Sequence, residues 1–396
     1  ALKVSAKCTP ACNDRRNAQP PGGSERVASE PYEWSGQVRR AKLATPGAGL
    51  RVGRVGARST PARPPSAAET AATARALAWG VSNVVLRIEP EVGKHFVVKQ
   101  SREQLRTADD WFSRIDRIYR EMDVMAELQK LLPEGVVPRI LFEDRENYLF
   151  AMQAVSANHV VWKVDLLAGR ADINIAETAA DYLAMTHTGS FDDAELRSQM
   201  IDREVFDQLR IDPFYRRIAI KHPRIEPVIS QLIDEMSATP VCLVHADFSP
   251  KNILIIRETN STSARLALVD FETAHFGDPA FDLGFFFSHL LLKTVMHTAR
   301  ADEFLNLVRM FHSRYFAAID RLAAEGAMSR GELDRRSVGH TAACMLSRID
   351  GKSTVDYLPQ PSDQELVRQF CLGLLTDPPP SLTATFERLE QRLGTL

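Results

Sequence analysis

The stretch Val241–Phe287 reads VCLVHADFSPKNILII, then a polar break RETNSTSA, then RLALVDFETAHFGDPAFDLGFFF. Two short apolar runs rich in β-branched residues, Val241–Val244 and Ile253–Ile256, bracket the polar loop His245–Asn252. A third run, Leu266–Val269, leads straight into Asp270. Runs of this length, bounded by turn residues, predict buried strands. Asn252–Ile256 and Arg265–Asp270 are expected to pair as an antiparallel hairpin about the 257–264 loop. Paired positions summing to about 522 set Ile256 opposite Leu266 and Asn252 opposite Asp270.

Asp247 lies in the loop just before Asn252, so one Asn and two Asp side chains converge at one end of a rigid hairpin. Hard oxygen ligands of this kind suit Mg²⁺, which takes one or two carboxylates together with phosphate oxygens. A further carboxylate nearby can accept the proton of an incoming hydroxyl. A single Asp or Asn at a strand end is ordinarily a turn or cap residue. The ordered set His-x-Asp-x4-Asn, hairpin, Asp is far more restrictive. It follows the catalytic-loop logic of kinases: a base, then an Asn and an Asp that hold Mg²⁺.

At these residues the chain resembles the aminoglycoside phosphotransferase and choline kinase-like family of small-molecule kinases. The motif is His245-Ala-Asp247-Phe-Ser-Pro-Lys-Asn252, followed by Val-Asp270-Phe-Glu272. Ala246 stands where protein kinases carry Arg, and where the family commonly has Gly; Phe271-Glu272 replaces Phe-Gly. The resemblance covers roughly residues 77–300 and implies an α+β, two-lobed protein-kinase-like fold. Its small N-lobe would be an antiparallel sheet, and its larger C-lobe mainly helical. It implies Asp247 as the catalytic base, Asn252 and Asp270 as metal ligands, and ATP and Mg²⁺ as cofactors. It further implies that His245 and Asp282 support the loop, Asp282 through hydrogen bonds to the loop backbone. The motif belongs to the whole superfamily and does not name the acceptor among aminoglycosides, choline, homoserine and methylthioribose.

Composition is that of an ordinary globular protein: 396 residues, 44% apolar and 25% charged. No apolar run approaches the roughly 18–20 residues that span a bilayer. Leu283–Leu292 is too short, contains Ser288 and His289, and reads as a buried helix. Five scattered cysteines argue against a disulfide framework, and Cys8-x3-Cys12 lacks a second ligand pair for zinc. A cytoplasmic location is expected. Net charge is −2, but residues 1–68 carry +8 and the remainder about −10. An acidic body argues against nucleic acid and leans toward a cationic small-molecule hydroxyl substrate.

Residues 1–68 are rich in Ala, Pro, Gly, Arg and Ser without a sustained period, and are expected to be disordered. They read as a basic tail, a targeting segment or an over-extended reading frame. Residues 69–153 are assigned to the N-lobe and 154–396 to the C-lobe. Ala68–Trp79 has helical composition. Gly80-Val81-Ser82-Asn83 precedes a hairpin of Val84–Ile88 with His95–Gln100, a place where Gly lets backbone N–H groups approach phosphates. The resemblance makes Gly80, Val81, Ser82 and Asn83 the nucleotide turn and Lys99 the contact to the α- and β-phosphates.

Trp111–Leu132 has the three- and four-residue apolar spacing of an amphipathic helix. On it, Glu121 is the first candidate partner of Lys99, ahead of Glu103 and Glu127. Val136–Phe142 and Tyr148–Met152 read as strands. The following connection sets the main chain of Gln153 and Val155 near the adenine. His187 is expected to close the helix Ile173–His187 as a cation near its last carbonyls. Phe206–Leu209, Ile225–Met236, Phe304–Leu322, Ser337–Ile349, Asp363–Leu375 and Leu382–Leu393 read as further helices. Ser249, Glu272, Arg348 and Asp350 are candidates to neighbour substrate or metal. The stretches Phe206–Pro213 and Arg348–Lys352 are candidates to set the acceptor. Two rival readings are a non-catalytic nucleotide-binding or scaffolding protein on the same fold and a protein kinase-like enzyme acting on polypeptide.

Overall fold

The computed structural model describes residues 72–77, 82–105, 110–257, 265–324 and 329–394. The expected tail, Cys8, Cys12, Gly80 and Val81 lie outside them. The chain divides into two compact units. The smaller contains Ala72–Ala76 and Arg87–His95; the larger contains Leu77–Leu86 and Phe96–Leu396. All the site residues discussed below belong to the larger unit.

The architecture is mixed helix and antiparallel sheet. A five-stranded sheet runs in the order β1 (Ala72–Ala76), β2 (Asn83–Pro90), β3 (Phe96–Ser101), β5 (Leu149–Gln153), β4 (Ile140–Asp144). β3 pairs antiparallel with β5, setting Lys99 opposite Phe150. Ala72–Ala76 is therefore a strand and not part of the expected helix. Its alanine-rich composition is only a weak helix preference, and pairing on a sheet satisfies the same backbone groups.

The helix expected from Trp111 begins at Arg117 and ends at Leu131. Upstream, the chain is tied as a narrow hairpin: Leu105 N–H donates to Trp111 O, and Ser113 N–H to Glu103 O, each at 2.9 Å. Trp111 buries its ring with Leu105 and Leu209 and donates Nε1–H to Gln208 O at 2.9 Å. Its place in the apolar spacing thus reflects tertiary burial. Val136 and Val137 are buried in a loop ahead of β4, where Val136 O accepts from Leu268 N–H at 2.7 Å.

After β6 (His159–Val161) and β7 (Cys242–Val244), the expected hairpin forms from β8 (Ile253–Ile256) and β9 (Arg265–Leu268). Its register differs by one residue from the expected one: Ile253 faces Leu268, Ile255 faces Leu266 and Ile256 faces Arg265. Directly paired residues share a face, so this register puts buried Ile253, Ile255, Leu266 and Leu268 on one side. Asn252 consequently meets Val269, whose N–H donates to Asn252 O at 3.1 Å. Asp270 stands one residue beyond the ladder. There φ is +72°, a left-handed value uncommon for a non-glycine residue, which turns its side chain out of the strand alternation.

The helix Pro279–Met296 is the spine of the helical part, buried from Pro279 through Val295. A helix apolar all round must be enclosed on every side, and here the long helices Arg330–Asp350 and Ala301–Ala324 lie against it. Asp278 caps its start, accepting from Ala280 N–H at 2.9 Å and pairing with Arg336 at 3.0 Å. β10 (His275–Gly277) pairs with β7 just before it and delivers the chain to this cap. Phe206–Leu209 is not an ordinary helix. A three-residue turn, Glu204–Phe206, opens into a wide π-helical segment, Asp207–Arg216, carrying Arg210 and Pro213. Such widened turns are frequent at functional sites. Among the described residues, no helix is long and apolar enough to cross a membrane.

Candidate active site

The spine helix fixes the loop His245–Asn252. Asp282, fully buried one turn into the helix, accepts from the backbone N–H of His245 and of Ala246, each at 2.7 Å. These two bonds hold Ala246 at φ +57°, another left-handed non-glycine position. His187 lies behind Asp282, with Nε2 at 3.2 Å from its Oδ2 and Nδ1 at 2.7 Å from Tyr315 Oη. His187 stands in the last turn of its helix as expected, but its ring is a buried link between a carboxylate and a tyrosine hydroxyl instead of facing the last carbonyls. The His245 ring packs 4.8 Å from the Phe271 ring, and neither ring nitrogen has a hydrogen-bond partner among the described residues. Burial pushes its pKa down, so the imidazole is neutral at physiological pH.

The loop presents Asp247, 3% exposed. Oδ1 pairs with Arg210 Nη2 at 2.8 Å, and Oδ2 with Lys251 Nζ at 2.9 Å. Asn252 Nδ2–H donates to Oδ2 at 2.8 Å. Burial alone would raise the carboxyl's pKa, but Arg210 and Lys251 overcome it and hold Asp247 below the usual carboxylate range. Arg210 also donates Nε–H to Ala246 O at 2.9 Å, so one guanidinium ties both the loop backbone and the carboxylate. Asn252 spends its amide nitrogen on Asp247, which leaves its carbonyl oxygen as the atom able to face a cation. Ser249 Oγ is buried with no partner among the described residues.

On the sheet side, Lys99 Nζ lies 2.7 Å from Glu121 Oε2 and 2.5 Å from Asp270 Oδ1. Burial works against the ammonium, but the Asp270 and Glu121 carboxylates override it and hold the pKa above the usual lysine range. Burial also pushes Asp270 upward, and the same lysine outweighs it, keeping this carboxyl ionised well below its usual range. Glu121 is the partner of Lys99; Glu103 and Glu127 are not brought to it. Burial raises the Glu121 carboxyl.

Glu272 turns away from this centre into a second buried knot. Its Oε1 accepts from Ser82 Oγ at 2.5 Å, and its Oε2 from Asn83 Nδ2 at 2.8 Å and Arg117 Nε at 2.9 Å. Arg117 Nη2 donates to the carbonyls of Ser82 (2.7 Å) and Arg102 (2.8 Å). Both Glu272 oxygens are thus spent on Ser82, Asn83 and Arg117, while its charge still acts on Lys99 and Glu121. The main chain of Gln153 continues β5, its N–H donating to Arg139 O at 2.8 Å, with Val155 two residues on.

Of the last two candidates, Arg348 approaches the site and Asp350 does not. The Arg348 guanidinium lies 5.9 Å over the Phe214 ring, which Arg210 also approaches at 5.7 Å. Asp350 is occupied by Arg368 and His222, each at 2.8 Å, and by Lys221 at 3.4 Å. Burial opposes its charge, but these hydrogen bonds bring its pKa down to about 2. A folded-state pKa below the unfolded value of about 3.9 stabilises the protein fully above about pH 4, and the benefit fades as pH falls toward about 2. Asp350→Asn is therefore expected to destabilise the protein at neutral pH, with the gap from wild type closing between about pH 4 and pH 2 in urea titrations. A gap unchanged across that window would contradict the assignment.

Arg210, Lys251 and Arg117 were not singled out from the sequence. Lys251 could have been found four residues after Asp247. Arg210 lies within Phe206–Pro213, a stretch whose residue types do not by themselves assign it a partner. Arg117 gave no signal, since an arginine at a helix start ordinarily faces water.

A family model described as "Phosphotransferase enzyme family" matches residues 73–324. A methylthioribose kinase of Yersinia pestis (strain Pestoides F) is 24% identical over 338 residues, 75% of this chain and 83% of its own. One of Erwinia tasmaniensis is 26% identical over 366 residues, 79% of this chain and 90% of its own. Among solved structures, a choline/ethanolamine kinase family protein from Mesorhizobium loti is 16% identical with a TM-score of 0.46. It covers 83% of this chain and 95% of its own. On its family match the chain belongs to the phosphotransferase enzyme family, as a small-molecule kinase.

Proposed function

We propose that this protein transfers the γ-phosphate of ATP, with Mg²⁺, to a hydroxyl of a small molecule. The observation that carries the reading is the arrangement of four groups in two linked pairs. Asp247 is bonded to Asn252 at 2.8 Å, and Lys99 to Asp270 at 2.5 Å. Asn252 and Asp270 stand at the two strand ends of one hairpin.

The donor set fits a magnesium ion. Asp270 is ionised and the Asn252 side-chain oxygen Oδ1 is unspent among the described residues, giving the hard oxygens that Mg²⁺ takes alongside phosphate. Among the described residues, no three His, Cys, Asp or Glu side chains form a metal cage. A site completed by phosphate oxygens does not need one. When bound, the ion supplies charge neutralisation on the phosphate oxygens.

The remaining roles belong to the chain. Lys99, oriented by Glu121, meets the α- and β-phosphates. Ser82 and Asn83, anchored by Glu272 and Arg117, belong to the turn that covers the phosphates, to which the sequence alone assigns Gly80 and Val81. The main chain of Gln153 and Val155 receives the adenine edge. Asp247 orients the acceptor hydroxyl and takes its proton. Arg210 and Lys251 keep Asp247 ionised and leave one positive flank for the moving phosphoryl group. Ser249 Oγ is a further donor toward it. Asp282 and His245 hold the loop. In this reading residues up to Gln153 serve the nucleotide, and Ala154 onward carries the base, metal ligands and acceptor. Phosphoryl transfer asks little covalent chemistry of the protein, so positioning and electrostatics carry the rate.

The test is ATP consumption with a panel of hydroxyl acceptors, including methylthioribose, choline and an aminoglycoside. Turnover with at least one acceptor, abolished by EDTA and restored by Mg²⁺, is the expected result. Turnover indifferent to EDTA would remove the metal from the reading. Failure to bind Mg-ATP would move the protein to the scaffold reading.

A further inference from the structure

Lys293 is a lysine on the inner face of the spine helix, 1% exposed. A buried ammonium normally sits against a carboxylate, and Lys99 in this chain has two. Lys293 has none among the described residues. Its Nζ donates to His289 O at 3.0 Å and to Tyr357 Oη at 3.5 Å, and lies 5.0 Å over the Tyr357 ring. The charges nearest to it are more cations. Lys163 Nζ approaches the same tyrosine ring at 5.9 Å. Burial, reinforced by Lys163 and Arg348, pushes the Lys293 pKa down to about 7. His289 Nε2 and Arg348 Nε are both buried without a hydrogen-bond partner among the described residues.

This cluster borders the base. The backbone N–H of Lys163 donates to Pro250 O, inside the loop that carries Asp247, at 2.9 Å. Arg210, paired to Asp247, shares the Phe214 ring with Arg348. Phe285 stacks on Phe214 at 6.0 Å and meets the His289 ring at 4.9 Å. Ring contacts thus link Phe214, Phe285 and His289, and Lys293 joins His289 O to Tyr357, so cations run from the base to Lys293. Asp356 acts on Lys163 and Asp247 on Arg348. An aminoglycoside or choline would bring further positive charge into a region already in excess of it. An oxyanion would supply the missing counter-charge and the missing acceptor for Lys293, His289 and Arg348.

We propose that the acceptor carries, besides its hydroxyl, an oxyanion of the carboxylate or phosphate kind, received by Lys293, Lys163, His289 and Tyr357. This rests on the kinase reading above and narrows its substrate class. It also reverses the inference from net charge. A balance of about −10 beyond residue 68 is a sum over the whole surface and does not set the sign at one site.

The test uses the full chain and acceptors that share a carbon skeleton: ribose, ribonate, ribose 5-phosphate and an aminated sugar. Each is followed by Mg-dependent ATP consumption and by thermal shift with a non-hydrolysable ATP analogue. The acid or the phosphate is expected to exceed the neutral sugar at least ten-fold in kcat/KM, or to raise Tm where the neutral sugar does not. That ratio should collapse in Lys293→Met and fall in Lys163→Met, the second variant standing on a partly exposed position. Which of the two anions responds separates carboxylate from phosphate. A preference for the neutral or aminated sugar overturns the proposal, as does an anion response that survives both substitutions or none at all in the wild type. Failure of the kinase reading shows separately, as full ATP consumption retained by Asp247→Asn; an anion response without transfer would then mark a binding site and likewise overturn the acceptor assignment.

Discussion

Asp247→Ala is expected to lower kcat by about 10²–10⁴-fold, the usual contribution of a positioned general base. Affinity for the Mg-nucleotide should stay within a few-fold, because Lys99, Asp270 and Asn252 remain. Arg210 and Lys251 lose their shared partner in the variant and can turn toward phosphate oxygens, so nucleotide binding has no reason to weaken. Asp247→Asn is the sharper control. It keeps the shape of the side chain and a hydrogen-bonding oxygen but cannot take the proton. A variant that keeps more than about a tenth of wild-type turnover would remove Asp247 from the role of base. The same pair of variants discriminates the scaffold reading, in which neither substitution changes a measured activity. Asp247 is held below the usual carboxylate range, so it is a weak base at neutral pH. That suits a loose phosphoryl-transfer transition state, in which the hydroxyl surrenders its proton late.

Arg117→Ala is expected to destabilise the protein by about 3–5 kcal/mol, the cost of leaving one member of a buried ion pair alone. The arginine is 1% exposed and its partner Glu272 is 6% exposed. Its loss leaves the Glu272 carboxylate without a cation and strips donors from the carbonyls of Ser82, Arg102 and Arg114. Ser82 and Asn83 then lose the framework that orients them, so KM for ATP should rise together with the loss of stability. Glu272→Gln keeps the shape and should cost less. In urea titrations of the two single variants and the double, non-additivity of about 1 kcal/mol or more is expected. Additive effects would show that the two side chains are buried independently and do not form one clamp.

The hairpin and the convergence of Asp247, Asn252 and Asp270 were legible because strand runs and turn residues are local signals. The register was not. Counting from the loop gave a sum one too high, and burial of Ile253 and Ile255 against Leu268 and Leu266 decided it. The left-handed backbone at Ala246 and Asp270 was equally hidden, since neither residue type announces a positive φ. Glu272 shows the limit most plainly. Its place two residues after Asp270 suggested the metal, yet its oxygens face Ser82, Asn83 and Arg117, which are 155 or more positions away in the chain.

By itself the sequence determined which chemical groups are on offer: an ordered carboxylate, amide and carboxylate about one hairpin, a strand lysine and a helix glutamate. Those are residue types at fixed spacings, and spacing is a local property of strands, loops and helices. The tertiary structure alone decided which charges are paired and which are left without a counter-ion. Arg210 reaches Asp247 from 37 positions upstream, and Asp350 is claimed by Arg368 and His222. Lys293 reads in the sequence as one more lysine near a helix end. Only folding buries it beside Tyr357 with no carboxylate against it among the described residues, because the sign of the field at a site depends on which distant side chains the packing brings within reach.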